Sequence, residues 1–194
     1  MVLDYGIKDL THTPLWSLIQ EKLKGDLEWK TAKVSSEENP SESQISDIRK
    51  SRIAWVEDLY LRKQLFHSIN LYNKQQWNYN IDGLDALQYG IYTVGGKYGW
   101  HRDDEVNIPI LNDQKLTRKL SMTIWLSDPD EYEGGELDIE IEGPRVRADK
   151  RYETLKLSKG SIIIFRSCLW HRVRPVTSGV RKSLVTWFRG PPFR

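Results

Sequence analysis

Cysteine is nearly absent from this sequence. Cys168 is the only one among 194 residues, so no disulfide can form within the chain. No apolar run is long enough to cross a membrane or to act as a signal peptide. Neither sign of charge dominates, because 29 basic and 27 acidic residues leave a formal net charge of +2. These absences predict a soluble, cytoplasmic protein whose main partner is neither nucleic acid nor a membrane.

Aromatic residues, by contrast, are abundant. The sequence contains eight tryptophans and nine tyrosines, and such side chains pack well on the pleated surfaces of β-sheets. The length is sufficient for one domain with a substantial core, whereas two domains would be crowded. We therefore expect a single domain over residues 1–194.

The first part of the chain carries helical signals. In Pro14–Lys24, apolar residues recur near a period of 3.6 residues, and a proline suits the first turn of a helix. A longer amphipathic helix is predicted over residues 57–77, after a short strand over residues 49–56. The polar segment 35–44 contains a proline and is predicted to be a loop. Residues 1–80 are therefore expected to form a helical layer.

From residue 84 onwards, the pattern changes to short strands separated by turns that contain glycine. The clearest strand is Glu136–Gly143, in which apolar and acidic residues alternate. Strands that recur at intervals of roughly 8–12 residues are typical of a sandwich or a barrel. The predicted fold class is therefore α+β, with a strand-rich core over residues 84–190 and helices packed on it.

Two of the four histidines suggest a site. His12 lies in a polar N-terminal stretch and His67 in the long predicted helix, and both are interpreted as ordinary surface or core residues. His101 and His171 lie among the strands, and Asp103 follows His101 by two residues. Two histidines and one carboxylate form the facial triad that binds non-haem Fe(II) and leaves coordination positions open.

Strand geometry favours Asp103 over Asp104 as the carboxylate ligand. In an extended strand, residues i and i+2 point to the same side, so His101 and Asp103 converge. A His-x-Asp pattern alone is frequent by chance, and a polar strand end is the alternative interpretation. Arg181, ten residues after His171, carries a guanidinium that can bind a carboxylate through two hydrogen bonds. An exposed charge at a strand end is the alternative for this arginine.

Three longer segments of the strand-rich part share a recognisable pattern. They are YTVGGKYGWHRD (92–103), RKLSMTIWLSDPDEYEGGEL (118–137) and LKLSKGSIIIFRSCLWHRVRPVTSGVRKSLVTWF (155–188). In this order they resemble the prolyl-4-hydroxylase-type 2-oxoglutarate/Fe(II) oxygenases, in particular the bacterial PKHD-type hydroxylases. The resemblance covers residues 84–189 and implies a double-stranded β-helix, or jelly roll, with supporting helices.

The resemblance implies roles for five residues. His101, Asp103 and His171 match the iron ligands of the family. Arg181 matches the residue that pairs with the 5-carboxylate of 2-oxoglutarate, and Tyr92 matches a tyrosine whose hydroxyl bonds the same carboxylate. The implied cofactors are Fe(II), 2-oxoglutarate as co-substrate and O2, with ascorbate as a candidate reductant.

Two positions depart from the pattern of the family. Leu137 stands where many prolyl hydroxylases have a threonine, and Trp125 stands where relatives often have a tyrosine. We therefore expect the co-substrate pocket to rely on Arg181 and Tyr92. Asp103 favours hydroxylation, because related halogenases have a small residue at this position.

The implied activity is hydroxylation of a C–H bond, coupled to decarboxylation of 2-oxoglutarate to succinate. A prolyl residue of a peptide or protein is the substrate that the resemblance implies. A free amino acid or another small metabolite is the alternative substrate. A non-catalytic jelly-roll module that binds a metal or another ligand is a further interpretation of a different class.

The sequence around the site offers further candidates. The segment 104–118 is expected to be a loop on the substrate side. Trp100, Arg102 and Arg166 are candidates for the mouth of the site, with packing or solvated surface as the alternative. Cys168 is expected to be a buried structural thiol. The basic segment 143–153 is expected to be a solvated hairpin tip.

Overall fold

The computed structural model describes residues 4–32, 48–104, 116–141 and 152–193. Two helices lie wholly within these residues, α1 (Pro14–Lys22) and α2 (Leu59–Gln76). The strands in chain order are β1 (Tyr5–Asp9), β2 (Trp29–Thr31), β3 (Arg49–Lys50), β4 (Arg52–Val56), β5 (Gly83–Leu84), β6 (Leu87–Tyr92), β7 (Lys97–His101), β8 (Thr117–Trp125), β9 (Tyr132–Gly134), β10 (Leu137–Glu140), β11 (Tyr152–Leu155), β12 (Ser161–Arg166), β13 (His171–Val173), β14 (Val176–Gly179) and β15 (Arg181–Gly190).

The strands form two main antiparallel sheets with a shared core. The larger sheet has the order β1-β12-β8-β15-β6-β4-β2, with β5 paired to β15, and the smaller has the order β11-β10-β13-β7-β3. Ile163 and Phe165 of the larger sheet belong to the same buried cluster as Leu137, Ile139 and Val173 of the smaller sheet. Strands β9 and β14 form a separate two-stranded ribbon.

The helices cover the other face of the larger sheet. Helix α2 buries Leu61, Leu65 and Ile69, which lie on one stripe at intervals of four residues. These side chains share a core cluster with Ile162 and Ile164 of β12, the residues that alternate with those facing the smaller sheet. Because the larger sheet is covered on both faces, β8 is buried from Lys119 to Trp125 and β12 from Ile162 to Phe165.

Local capping explains where both helices begin. The side chain of Thr13 accepts a hydrogen bond from the backbone N–H of Trp16, and the side chain of Asp58 accepts one from the N–H of Leu61. Both helices predicted from the sequence are thereby confirmed, with ends within two residues of the expected positions. In the described ranges, no helix is both long and apolar enough to span a membrane.

The N-terminal part is not a purely helical layer, contrary to expectation. Strand β1 pairs with β12 along its whole length, and β2 and β4 extend the larger sheet beyond β6. Strands β3 and β4 confirm the strand predicted over residues 49–56. Strands β1 and β2 are only five and three residues long, and β1 pairs with a strand more than 150 residues later. The predicted loop 35–44 lies outside the described residues.

Candidate metal centre and co-substrate pocket

Three predicted ligands lie together between the two sheets. The candidate ligand atoms of His101, Asp103 and His171 all lie within 4.8 Å of one another. Each imidazole is held by a hydrogen bond from its Nδ1 atom to a backbone carbonyl. Nδ1 of His101 lies 2.8 Å from the oxygen of Gly99, and Nδ1 of His171 lies 3.0 Å from that of Leu169. Because a carbonyl only accepts, Nδ1 carries the proton and Nε2 is available to a metal.

A β-bulge lies next to the pair of histidines, whose ring centroids are 4.1 Å apart and whose planes are tilted by 53°. His101 of β7 pairs directly with His171 of β13, but the next pair is Tyr98 with Val173. Three steps along β7 therefore match two steps along β13, which is the signature of a bulge. The bulge turns both Tyr98 and His101 towards the interior, where their rings stack with centroids 3.6 Å apart.

Asp103 reaches the site by a different route from the one that strand alternation predicts. Strand β7 ends at His101, and Asp103 lies in a bend, so the extended geometry assumed from the sequence is wrong. The backbone N–H of Asp103 instead donates to the carbonyl of Ser167 at 3.0 Å. Asp104 lies outside the group of candidate ligands, and its carboxylate is 3.4 Å from Arg102 Nε. The choice of Asp103 over Asp104 thus agrees with the structure although its geometric reason does not.

Burial and mutual charge set the protonation of the three side chains. Burial, together with the nearby His171, lowers the pKa of His101 to about 3. Burial alone would lower the pKa of His171 too, but the carboxylate of Asp103 outweighs it and raises this pKa. Burial would raise the pKa of Asp103, but His171 and the hydroxyl of Ser121 hold it well below its usual range. The carboxylate is therefore ionised, as a metal ligand must be.

Two residues beside His101 were missed by sequence reasoning. The guanidinium of Arg49 lies 4.5 Å from the ring centroid of Tyr98, and the same tyrosine ring stacks on His101. Burial raises the pKa of Tyr98 to about 12 and keeps its phenol neutral. In the sequence, an aromatic residue three positions before His101 was the available signal for this stack.

Arg181 and Tyr92 form the inner wall of the same cavity. They are direct cross-strand partners on β15 and β6, and the guanidinium carbon lies 5.2 Å from the tyrosine ring centroid. Arg181 is 1% exposed, so it is not a solvated strand-end charge. Its Nη1 donates to Ser183 Oγ at 3.1 Å, while its Nε has no hydrogen-bond partner among the described residues. Trp125, fully buried, lies with its ring centroid 5.8 Å from this guanidinium.

A cavity of about 590 Å³ connects the ligand group to Arg181. Half-exposed tryptophans lie at its rim, namely Trp55, Trp100 and Trp170. Arg102 also lines it, as expected. Arg166 does not line it and instead donates to Asp4 at 2.7 Å.

Other expectations near the site have mixed outcomes. Cys168 is only partly buried, contrary to expectation, because it lies in the turn that follows β12. Most of the expected substrate-side loop, residues 105–115, lies outside the described residues. The same holds for residues 142–151, which include most of the expected basic hairpin tip.

The donor set fits Fe(II) and 2-oxoglutarate. Two imidazole nitrogens and one ionised carboxylate are the ligand types of a facial triad. A buried guanidinium is costly unless an anion neutralises it. Within the described ranges Arg181 takes part in no ion pair, and a dicarboxylate such as 2-oxoglutarate would supply the missing charge.

Comparisons with known proteins point to one family. The model of the 2OG-Fe(II) oxygenase superfamily matches residues 87–189. A PKHD-type hydroxylase of Colwellia psychrerythraea is 41% identical over 95 residues, which are 49% of this chain and 38% of that protein. A PKHD-type hydroxylase of Stenotrophomonas maltophilia is 40% identical over 101 residues, which are 52% of this chain and 41% of that protein. The matched part thus spans about two fifths of these relatives.

Solved structures show the same fold at low sequence identity. A prolyl-4-hydroxylase from Pseudomonas putida superposes with a TM-score of 0.66 and 20% identity, covering 96% of this chain and 93% of that one. A prolyl hydroxylase from Trichoplax adhaerens, in complex with a peptide fragment of the hypoxia inducible factor oxygen degradation domain, superposes with a TM-score of 0.64 and 16% identity. The superposition covers 95% of this chain and 83% of that one. The predicted jelly-roll core is thereby confirmed. Since the family model spans more than half of the sequence, the chain belongs to the 2OG-Fe(II) oxygenase superfamily.

Proposed function

We propose that this chain is a dioxygenase dependent on Fe(II) and 2-oxoglutarate, which hydroxylates a C–H bond and converts 2-oxoglutarate to succinate. Residues 1–194 act as a single oxygenase domain in this proposal. The observation that carries it is the shared cavity, which joins the group of His101, Asp103 and His171 to the buried guanidinium of Arg181. A metal site and a carboxylate site at opposite ends of one chamber suit a co-substrate that must bridge them.

The protein's part in the reaction is to hold the groups in place. Nε2 of His101, Nε2 of His171 and a carboxylate oxygen of Asp103 would hold Fe(II). Bound Fe(II), 2-oxoglutarate and O2 supply the oxidative chemistry. The carbonyls of Gly99 and Leu169 keep both imidazoles in the tautomer that presents Nε2 to the metal. Burial of Asp103 and His171, and partial burial of His101, limit the access of bulk water to the centre.

The co-substrate would lie between the metal and β15. Arg181 would bind its distal carboxylate, and the hydroxyl of Tyr92 would donate a second hydrogen bond to it. Leu137 lines the cavity, Trp125 packs near the guanidinium of Arg181, and neither has a hydroxyl. A charge-assisted pair in this buried position is short and strong, which orients the remainder of the molecule towards the metal.

A prolyl residue in a peptide or protein is the substrate that we propose. Three tryptophans at the rim of the cavity, Trp55, Trp100 and Trp170, resemble the aromatic surfaces on which proline-rich segments dock. The names of the related prolyl hydroxylases, one of them bound to a peptide fragment, support the same class. A free amino acid or another small metabolite would need fewer contacts at this rim, so Trp170→Ala would affect it less.

Turnover tests this proposal directly. Purified protein with Fe(II), 2-oxoglutarate and O2, with and without ascorbate, is offered proline-containing peptides and, separately, free amino acids. We expect succinate release that depends on a peptide, and a gain of one oxygen atom on proline by mass spectrometry. His171→Ala is the control and should abolish both signals. Succinate release stimulated only by a free amino acid would overturn the peptide proposal, and none with any substrate would favour a non-catalytic module.

A further inference from the structure

Two buried serines lie directly behind the carboxylate of Asp103. The hydroxyl of Ser121 donates to Asp103 Oδ2 at 2.6 Å, and Ser121 Oγ lies 2.9 Å from Ser167 Oγ. Ser121 is 1% exposed and Ser167 is fully buried. The three residues come from β8, from the turn after β12 and from the bend after β7, so only the folded sheet brings them together.

The number of hydroxyl hydrogens determines which serine donates and which accepts in these two hydrogen bonds. Each serine has one hydroxyl hydrogen. An ionised carboxylate only accepts, so the hydrogen of Ser121 is committed to Asp103 Oδ2. The short contact between the two serines therefore requires Ser167 to donate to Ser121. The resulting relay, Ser167 to Ser121 to Asp103, delivers a hydrogen bond to one carboxylate oxygen, and aligned hydroxyls strengthen one another.

The backbone of Ser167 also holds the backbone at Asp103. The N–H groups of Asp103 and Asp104 donate to the carbonyl of Ser167 at 3.0 and 3.3 Å. Ser167 is itself anchored, since its own N–H donates to the carbonyl of Lys119 at 3.0 Å. Main chain and side chain of Asp103 are therefore both tied to the serine pair, although no strand continues to this position.

The geometry leaves the two carboxylate oxygens in different situations. Oδ2 carries the hydrogen bond from Ser121 and lies 3.4 Å from Nε2 of His171, whereas Oδ1 lies 3.8 Å from Nε2 of His101. No hydrogen bond to Oδ1 occurs within the described residues. In this arrangement Oδ1 can coordinate a metal while Oδ2 remains hydrogen-bonded to Ser121.

We propose that Ser121 and Ser167 are positioning residues that fix Asp103 as a ligand through a single oxygen. This inference rests on the metal centre of the proposed function and deepens it. Residues that hold a metal ligand from behind commonly contribute about 10- to 100-fold to metal affinity or activity. The serine pair would therefore tune how tightly the site holds its metal, without touching metal, co-substrate or substrate.

The experiment measures metal affinity apart from turnover. Co(II) is titrated into the metal-free protein without 2-oxoglutarate or O2, and binding is followed by calorimetry and by the visible absorption of Co(II). We expect Ser121→Ala to weaken binding by about 10- to 100-fold and to alter the visible spectrum. Ser167→Ala should have a smaller effect in the same direction. The double variant should bind no more weakly than Ser121→Ala, because both changes break one relay.

Two further variants separate positioning from stability. Ser127→Ala is the matched control: this buried serine also makes two hydrogen bonds, to the carbonyl of Val180 and from the N–H of Lys182, but none to Asp103. It should lower thermal stability as much as Ser121→Ala and leave the Co(II) affinity unchanged. Ser121→Thr retains the hydroxyl and should restore most of the affinity.

The outcomes distinguish the two proposals. If the wild-type protein binds no Co(II), the metal centre itself is wrong. If the wild type binds Co(II) and both Ser121→Ala and Ser167→Ala bind it equally well, the positioning role is overturned while the metal centre stands. If Ser121→Ala fails to fold, Ser167→Ala and Ser121→Thr decide the question in the same titration.

Discussion

Replacement of Arg181 by methionine tests the most unusual electrostatic feature of the cavity. The side chain is 1% exposed; within the described residues it donates to the neutral hydroxyl of Ser183 and pairs with no carboxylate. Arg181→Met keeps a long flexible side chain and removes the charge. If the guanidinium binds the carboxylate of 2-oxoglutarate, the substitution should lower the affinity for the co-substrate and leave the folding stability unchanged or higher.

The substitution should weaken 2-oxoglutarate binding without lowering the stability of the ligand-free protein. A hydrogen bond to a charged group contributes about 1.5–3 kcal/mol, so the dissociation constant for 2-oxoglutarate should rise by about 10- to 150-fold. Without ligand, replacing a buried charge that lacks a counter-ion by an apolar side chain is often neutral or stabilising. The melting temperature of ligand-free Arg181→Met should therefore match or exceed that of the wild type.

Thermal unfolding with and without 2-oxoglutarate, together with calorimetric titration of the anaerobic Fe(II) protein, measures both effects. Arg118→Met is the matched control, because Arg118 lines the same cavity but already pairs with Asp85 at 2.9 Å. This control should lose stability without ligand and retain most of its affinity for 2-oxoglutarate. If Arg181→Met bound 2-oxoglutarate as tightly as the wild type, Arg181 would not be the residue that binds the co-substrate. If it lost as much ligand-free stability as Arg118→Met, the guanidinium would already be neutralised in the ligand-free protein.

Three further predictions concern the lower pKa of a buried carboxyl, the tyrosine of the pocket and a constrained turn. Burial would raise the pKa of Asp138, but its two arginine partners and a threonine hold it below the ordinary 3.8. Asp138→Asn should thus cost about 2 kcal/mol in urea unfolding at neutral pH, and the difference should shrink as pH falls through the folded pKa. Tyr92→Phe should weaken 2-oxoglutarate binding by about 2- to 10-fold in calorimetry, since a hydroxyl bond is lost beside Arg181. Gly134→Ala should lower the melting temperature by at least about 4 °C, because φ is 68° and a Cβ would lie 2.2 Å from a backbone carbonyl oxygen.

Each of these predictions has a result that contradicts it. A stability difference for Asp138→Asn that stays constant across acidic pH would show that the carboxylate charge does not matter. Wild-type affinity in Tyr92→Phe would place the tyrosine hydroxyl away from the co-substrate. Gly25→Ala is the control for the turn, since a Cβ there meets no atom closer than 4.0 Å, and an equal loss in both glycine variants would refute the steric argument.

The candidate ligand residues could be selected from the sequence because their side chains are of the types that bind Fe(II). His101, Asp103 and His171 differed from their surroundings in residue type, and the resemblance connected them although His101 and His171 are 70 positions apart. The geometry that unites them was not predictable. The bulge in β7 depends on its pairing with β13, and the bend at Asp103 depends on a hydrogen bond to Ser167. Such backbone irregularities follow from tertiary partners and leave no local pattern.

The N-terminal strands illustrate a second limit. Helix α2 was predictable because eighteen residues repeat one apolar stripe and an aspartate caps its start. Strand β1 has five residues and pairs with β12, more than 150 residues later, so its stability comes almost entirely from that partner. The serine pair behind the candidate metal centre could not be predicted either, since Ser121 and Ser167 are 46 positions apart and only the folded sheet brings them together.

We propose that one cavity holds Fe(II) on His101, Asp103 and His171 and holds 2-oxoglutarate between that metal and Arg181. Anaerobic titration of the protein with Fe(II) and 2-oxoglutarate, followed by visible absorption, tests both halves together. We expect a metal-to-ligand charge-transfer band that saturates at a single equivalent of each per chain and is absent in folded His171→Ala. No band in the wild type, or an unchanged band in His171→Ala, would contradict the claim.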